Sequence, residues 1–263
     1  MKPAELAKIK KHAIEAAHKG GAVLMRYYRK KIAVHEKARS SLVTEADLKS
    51  EALIQKMLKK SYPGFQFHGE ESGDNGKTDP TVPTWHVDPL DGTTNFVHGF
   101  PMFCVSIGLA IGNQPILGVI YIPTVEETFH AAKGGGAFLN RKPMQVSKRN
   151  HLSQCLLTTG FAYIRDEDKL CPEIERFERA HLEARAVRRP GAAAIDLAYV
   201  AAGVFDAFWE RNLASWDVCA GALLVNEAGG RVTGYNGEEF SINGKEVLAT
   251  NSHVHTSMMQ ILR

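Results

Sequence analysis

Apolar side chains recur at intervals of three and four residues through the first 30 residues of the chain. The positions are Leu6, Ile9, Ala13, Ala16, Ala17 and Leu24. This spacing is typical of one face of an amphipathic helix, so a single helix is predicted here. A second helix is predicted after Thr44, because Asp47 stands three residues later and the pair resembles a capping box. Its apolar face ends before Pro63.

The pattern changes to short β-type runs in the middle of the chain. Strands are predicted at 65–69 (FQFHG) and 84–88 (TWHVD). From Phe103 to Val146, further apolar runs are separated by turn residues, which predicts an antiparallel meander. The three glycines at 134–136 lie between two of these runs. They are therefore expected to form a turn rather than a dinucleotide-binding loop, which would connect a strand to a helix.

Helical and strand patterns alternate in the second half. Helices are predicted at 171–183, 191–203 and 217–230, and strands at 204–210, 231–235 and 246–250. Because no linker rich in Pro, Gly or Ser interrupts the chain, layered α and β structure is expected. The prediction is one domain over 1–263, with an N-terminal α+β lobe over about 1–146 and a C-terminal α/β lobe over about 147–263.

Composition places the chain among ordinary globular proteins. Its 263 residues are 44% hydrophobic and 23% charged, which is enough for a full core. A net charge of +3 without a polybasic tail does not favour a nucleic-acid or anionic membrane partner. Lysine and glutamate interrupt the first 24 residues, so neither a signal peptide nor a membrane span is predicted. A cytoplasmic location is expected.

Cysteine and histidine give no sign of a zinc site. Cys104, Cys155, Cys171 and Cys219 show no paired spacing, and they are expected to be reduced thiols in the core. The eleven histidines form no H-E-x-x-H motif or Cys/His cluster. His86 and His130 are expected at solvated strand positions.

Acidic residues are concentrated at predicted element ends. Asp88 and Asp91 stand three residues apart where a strand ends; alone, they could be a helix cap and a turn residue. Glu70 follows another strand, and Asp217 opens a helix of small residues. Crowded carboxylates repel one another unless cations hold them, and an all-oxygen set suits Mg²⁺ or Mn²⁺. A metal site is therefore a reasonable hypothesis.

Four segments together resemble the inositol monophosphatase family. They are LVTEAD at 42–47, GEES at 69–72, DPLDGTTNF at 88–96 and WDVCAGALLVNEAGG at 216–230. The resemblance extends over essentially the whole chain. It implies a layered αβαβα sandwich, usually a homodimer. It also implies Mg²⁺-dependent, lithium-sensitive hydrolysis of small phosphate monoesters, with inositol 1-phosphate as the leading substrate.

The resemblance also assigns roles to individual residues. Metal ligands for two or three Mg²⁺ ions, or for Mn²⁺, would be Glu70, Asp88, the carbonyl of Leu90, Asp91 and Asp217. Catalytic residues would be Glu70, Thr93 and Asp47, with Thr93 bonded to Asp47 and the nucleophilic water positioned by Thr93 and Glu70. Substrate-binding residues would be Asp91, Gly92, Thr93, Arg188, Gly191, Ala193, Glu210 and Asp217.

Several alternatives stay open at the level of sequence. Arg188 and Arg189 could serve a second phosphate, as in relatives that accept fructose 1,6-bisphosphate. Histidinol-phosphatase and nucleotide 3'-phosphatase activities are other possibilities on the same scaffold. A non-catalytic RNA- or protein-binding role is the alternative of another class. The chain also departs from the family pattern, with Pro190 before Gly191 and with His86 where an aliphatic residue is usual.

Overall fold

A computed structural model describes residues 1–30, 34–38, 41–74, 79–161 and 166–263. Within these ranges it contains seven α-helices. They are α1 (Pro3–Tyr27), α2 (Glu45–Ser61), α3 (Thr93–Val97), α4 (Glu167–Glu183), α5 (Ala193–Ala201), α6 (Ser215–Glu227) and α7 (His255–Leu262). None of the helices in these ranges is long and apolar enough to cross a membrane.

In the part of the chain that the structure describes, the strands form one hairpin and two larger sheets. They are β1 (Val34–Ala38), β2 (Ser41–Thr44), β3 (Gln66–Gly69), β4 (Gly73–Asp74), β5 (Thr84–Asp91), β6 (Cys104–Ile111), β7 (Gln114–Ile122), β8 (Glu127–Ala132), β9 (Ala137–Leu139), β10 (Lys142–Pro143), β11 (Leu156–Thr159), β12 (Ala186–Arg188), β13 (Ala207–Arg211), β14 (Arg231–Thr233) and β15 (Glu246–Thr250). Strands β1 and β2 form the hairpin. The eight-stranded sheet has the order β10-β9-β8-β7-β6-β5-β3-β4, and the five-stranded sheet has the order β12-β11-β13-β15-β14.

Helices and sheets alternate in five layers. Helices α1 and α2 cover one face of the eight-stranded sheet, and α5 and α6 lie between the two sheets. Helices α4 and α7 cover the outer face of the five-stranded sheet. One apolar cluster fills both junctions around α5 and α6, and one further cluster fills each outer junction, because sheets and helices bury their apolar faces against neighbours. The predicted αβαβα sandwich is confirmed.

Helix α6 is apolar around most of its circumference, as expected of a helix enclosed between two sheets. Glycines in the sheet below allow it to approach closely. A Cβ atom at Gly118 would lie 2.5 Å from the carbonyl oxygen of Ala220, and one at Gly108 would lie 2.5 Å from Sγ of Cys219. Because α6 carries Asp217 in its first turn, this packing fixes where that carboxylate enters the site.

The strongly periodic elements match their predictions. Helix α1 and the meander β6–β10 lie where the pattern placed them, and Thr44 and Asp47 form the predicted capping box. Helix α4 starts at Glu167, four residues earlier than predicted, and contains Pro172. The pattern did not indicate β11 and β12, because strands of four and three residues are too short to show an alternating period.

Two predictions about burial were wrong. Cys171 is exposed on α4, whereas Cys104, Cys155 and Cys219 are buried, and all four are free thiols. His86 is 8% exposed and hydrogen-bonded inside the protein, because the start of α6 covers this part of β5. His130 is half-buried, with Nε2 2.8 Å from the carbonyl oxygen of Asn140. The prediction of a solvated strand position is therefore wrong for His86 and holds only in part for His130.

Candidate active site

Parallel pairing of β3 with β5 brings the first two acids together. Gly69 is the register partner of Val87, so Glu70 and Asp88 follow at the same end of adjacent strands. The backbone N–H of Glu70 donates to the carbonyl of Val87 at 3.0 Å. The buried carboxylate of Glu51 accepts from the N–H of Glu71 at 2.9 Å, which holds the segment that carries Glu70.

A turn at the end of β5 orients Asp88 and Asp91 in the same region. The pairing with β6 is irregular between these two residues, and Oδ1 of Asp88 accepts from the N–H of Leu90 at 2.9 Å. Gly92 follows with φ +90°, and a Cβ atom there would lie 2.8 Å from the carbonyl oxygen of Met102. Glycine is required at this position both for its backbone conformation and for the close approach.

Helices α5 and α6 supply further contacts to the carboxylates. Oδ2 of Asp91 accepts from the N–H of Ala194 at 2.8 Å. Oδ2 of Asp217 accepts from the N–H of Ala214 at 2.7 Å, within the first turn of α6. These donors hold one oxygen of each side chain and so restrict its orientation.

Asp47 and Thr93 form a second polar group behind the carboxylates. Asp47 accepts from the N–H and hydroxyl of Thr44 at 2.9 and 2.5 Å, and its other oxygen lies 3.3 Å from the hydroxyl of Thr93. The hydroxyl of Thr93 also lies 3.0 Å from the carbonyl oxygen of Leu90. Its single proton can be donated to only one of these acceptors at a time.

Most of the predicted site residues line one cavity of about 270 Å³. Those at its wall are Glu70, Asp88, Leu90, Asp91, Gly92, Thr93, Gly191, Ala193, Glu210 and Asp217. Asp47 lies behind Thr93 rather than at the wall. Arg188 was expected at the wall, but its exposed guanidinium donates to the carbonyl of Val187, and Arg189 lines the cavity instead.

Burial and mutual repulsion raise the pKa of the acids at the floor. Burial raises the pKa of Asp91 to about 7, and the charge of Glu70 contributes in the same direction. The pKa of Asp88 is raised by burial and then by Glu70, Asp91 and Asp217. Burial and the charge of Asp91 likewise raise the pKa of Asp217. A cluster of acids with raised pKa values is stabilised either by protonation or by a bound cation.

The donor set fits a hard divalent cation. It consists of carboxylate and carbonyl oxygens, and among the described residues of the cavity wall there is no imidazole or thiolate. In the described ranges, however, no three His, Cys, Asp or Glu side chains are already grouped so that they could hold an ion. Each of the three aspartates instead has one oxygen hydrogen-bonded to a backbone N–H group.

Glu210 and Asp196 form a second acidic pair beside the floor. Burial, followed by the charge of Asp91, raises the pKa of Glu210 to about 8. Asp196 is buried on α5 and accepts from the hydroxyl of Thr158 at 2.9 Å. Asp196 is a site residue that was not predicted, although an aspartate inside the small apolar helix GAAAIDLAYVAAG is a usable signal. Glu51 was not predicted either, because its role depends on a contact with Glu71, 20 residues away in the chain.

Comparison with known proteins identifies the family of this chain. The model of the inositol monophosphatase family matches residues 5–263. The chain is 43% identical to inositol monophosphatase 2 of Solanum lycopersicum over 256 residues, covering 95% of this chain and 96% of that protein. It is also 43% identical to inositol-1-monophosphatase of Synechocystis sp. over 263 residues, covering 99% and 90% of the two chains.

A solved structure supports the same relationship. The crystal structure of extragenic suppressor protein suhB from Bartonella henselae superposes with a TM-score of 0.91 at 39% identity, covering 97% of this chain and 98% of that chain. The family is generally metal-dependent, and its named members are phosphoric monoester hydrolases. On the family match and these identities, the chain belongs to the inositol monophosphatase family.

Proposed function

We propose that this protein hydrolyses inositol 1-phosphate to inositol and phosphate with the help of Mg²⁺. The observation that carries the proposal is the convergence of Glu70, Asp88, Asp91 and Asp217 on one cavity that also contains a polar wall for the substrate. The relatives named inositol monophosphatase favour inositol phosphate among the possible monoesters.

The residues that would hold the ions are Glu70, Asp88, Asp91 and Asp217, together with the carbonyl oxygen of Leu90. When bound, two or three Mg²⁺ ions, or Mn²⁺ in their place, would supply Lewis-acid stabilisation of phosphate charge and would lower the pKa of water. Asp88 would gain from a bound cation, because burial and then the charges of Glu70, Asp91 and Asp217 raise its pKa.

Glu70, Thr93 and Asp47 are proposed to position the attacking water. The hydroxyl of Thr93 lies at the cavity wall and reaches Asp47 behind it. Burial raises the pKa of Asp47 to about 6, so this carboxylate can take up a proton near neutral pH. A proton from water could therefore pass through the Thr93 hydroxyl to Asp47, while Glu70 orients the water.

Backbone N–H groups at Gly92 and Thr93 are proposed to bind the phosphate. The first N–H groups of a helix have no partner within the helix, and α3 begins at Thr93. Because α3 has only five residues, individual N–H groups rather than a helix dipole provide this contact. Gly92 lacks a side chain, which lets the phosphate approach the backbone.

The opposite wall is proposed to recognise the polyol. Glu210 can pair with hydroxyl groups of the ring, and Gly191 and Ala193 leave space beside it. Arg189 lies over the ring of Phe161 with 5.9 Å from its guanidinium carbon to the ring centroid, and it faces the same cavity. Arg189 thus replaces Arg188, which the family resemblance implied for this wall.

A phosphate-release assay tests this proposal. The purified protein is given inositol 1-phosphate, fructose 1,6-bisphosphate, histidinol phosphate or a nucleotide 3'-phosphate, each with Mg²⁺ and with EDTA. We expect the highest kcat/KM on inositol 1-phosphate and loss of activity in EDTA. Activity that survives exhaustive chelation would contradict the metal assignment, and a preference for another monoester would contradict the substrate assignment.

A homodimer, a cytoplasmic location, lithium sensitivity and the absence of a nucleic-acid partner are part of the same proposal. Light scattering after size exclusion should give twice the 28.9 kDa chain mass. Lithium chloride should inhibit phosphate release. Salt-sensitive binding of RNA by the metal-free protein would favour the non-catalytic alternative instead.

A further inference from the structure

Four aromatic and hydroxyl side chains connect the elements that carry the acidic residues. His68 on β3 and His86 on β5 are register partners, and their ring centroids lie 5.6 Å apart. Nδ1 of His86 lies 2.8 Å from Oγ of Ser215, the first residue of α6. The ring of His68 stacks on Trp216, with centroids 4.9 Å apart and an interplanar angle of 27°.

Each member of this group lies one or two residues from a proposed metal ligand. His68 precedes Glu70 by two residues, and His86 precedes Asp88 by two residues. Ser215 and Trp216 immediately precede Asp217. The group therefore joins the three elements whose relative positions set the distances between the carboxylates.

A further hydrogen bond runs parallel to the contact between His86 and Ser215. The hydroxyl of Ser106 donates to the carbonyl oxygen of Trp216 at 3.1 Å, and Ser106 is the register partner of Asp88 on β6. The first turn of α6 is thus attached to β5 and to β6 by side-chain hydrogen bonds. Asp217 lies in that turn, with Oδ2 2.7 Å from the N–H of Ala214.

We infer that His86 and Ser215 are positioning residues, whose hydrogen bond fixes Asp217 relative to Asp88 and thereby sets the affinity for the divalent ion. The inference rests on the proposed function, because it concerns the same carboxylates. Groups that hold metal ligands from outside the coordination sphere typically contribute 10- to 100-fold to metal affinity or activity. Ordinary packing would not require a buried imidazole, because a leucine could fill the same space.

Variants can separate positioning from packing. His86→Leu keeps an apolar side chain of similar size without the hydrogen bond, and Ser215→Ala removes the bond from the partner side. His86→Asn places an amide near the position of Nδ1, so it can restore the contact. The double variant His86→Leu/Ser215→Ala shows whether the two residues act through one interaction.

The measurement is calorimetric titration of each metal-free variant with Mg²⁺, followed by steady-state kinetics on inositol 1-phosphate. We expect the dissociation constant for Mg²⁺ to rise about tenfold in His86→Leu, in Ser215→Ala and in the double variant alike. His86→Asn should stay within about threefold of the wild type, and KM for inositol 1-phosphate at saturating Mg²⁺ should change less than about twofold.

A remote pair of the same kind provides the control. Nε2 of His18 on α1 lies 2.8 Å from Oγ1 of Thr128 on β8, and neither residue lines the active-site cavity. His18→Leu should leave the affinity for Mg²⁺ unchanged. If His86→Leu does not fold, Ser215→Ala carries the test.

The inference is overturned if Ser215→Ala binds Mg²⁺ as the wild type does, or if the losses in the two single variants simply add in the double variant. An equal loss of Mg²⁺ affinity in His18→Leu would also overturn the inference, because the effect would then be general destabilisation. Failure of the proposed function looks different: the wild type itself would neither bind Mg²⁺ nor release phosphate.

Discussion

At the scale of single residues, the site depends on crowded carboxylates, and holding them in place lowers the stability of the folded protein. Asp88 and Asp91 are buried and Asp217 is half-buried at the same cavity, and removal from water raises the pKa of each. An aspartate whose pKa is raised in the folded state makes the fold less stable as pH increases through that range. A bound cation would reverse this effect, since it favours the ionised form.

Asp91→Asn should separate activity from stability. The amide keeps an oxygen for the N–H of Ala194 but lacks the charge, so kcat on inositol 1-phosphate should fall at least about 10³-fold. The pKa of Asp91 is about 7, so above that pH the metal-free variant should melt at a higher temperature than the wild type. Phosphate release and thermal unfolding in EDTA measure the two effects. Near-normal turnover would show that Asp91 is only a turn residue.

Glu210 offers a test of substrate recognition apart from the chemistry. Its pKa of about 8 means that it is largely protonated at neutral pH in the metal-free protein, so glutamine would imitate it. Glu210→Leu removes the polar group in either state, and an unpaired substrate hydroxyl costs about 1–3 kcal/mol. We expect kcat/KM on inositol 1-phosphate to fall about 5- to 150-fold, with little change on p-nitrophenyl phosphate. An equal loss on both substrates would refute the polyol contact.

At the scale of elements, the acids meet because strand ends and helix starts converge. Strand β3 runs parallel to β5, and α6 lies across the same sheet on glycines. Helix α5 reaches the same floor through the N–H of Ala194. Displacement of α6 would therefore move Asp217 relative to Asp88 and Asp91.

Gly118→Ala should show how much the close approach of α6 matters. The new Cβ atom would lie 2.5 Å from the carbonyl oxygen and 2.9 Å from the Cα of Ala220, so helix or sheet must move. We expect a loss of about 1–3 kcal/mol in the free energy of unfolding, measured in urea. Gly64→Ala is the matched control, because no atom lies within 4 Å of a Cβ built there. If the two variants are equally stable, the account of this packing is wrong.

The sequence patterns predicted most of the elements and the main acidic residues, but they did not predict all residues at the wall of the site. Asp88 and Asp91 are close by their spacing alone, and α1, α2 and the meander follow from their periodicity. The choice between Arg188 and Arg189 could not be made, because it depends on how the chain leaves the three-residue strand β12. Asp196 and the contact of His86 with Ser215 depend on residues 38 and 129 positions apart. A local sequence pattern cannot indicate contacts between residues so far apart in the chain.

At the scale of the whole molecule, the outer helix layer that contains α7 has a titratable group of its own, His255. His255 starts α7 and is buried between the hydroxyls of Thr233 and Thr250, at 3.0 and 2.9 Å. Burial lowers the pKa of His255 to about 4, with a smaller contribution from Arg231. The folded protein therefore keeps this imidazole neutral at pH values where the unfolded chain protonates it.

Stability should consequently depend on His255 in acid. Its contribution is fully present above about pH 6.5 and is lost as pH falls toward about 4, because the unfolded state binds the proton more tightly. Urea unfolding should show that the free energy of unfolding decreases more between pH 7 and pH 5 in the wild type than in His255→Gln. Exposed His98 provides the control variant, His98→Gln. Identical losses in wild type and His255→Gln would contradict this account.

The central claim is that the carboxylates around the cavity hold the divalent ions, and anomalous scattering from a crystal grown with Mn²⁺ tests it most directly. Mn²⁺ prefers the same oxygen ligands as Mg²⁺ and can be located by its signal. We predict peaks within about 2.5 Å of oxygens of Glu70, Asp88, Asp91 and Asp217. Peaks elsewhere, from a protein that releases phosphate only when Mn²⁺ is present, would contradict the account.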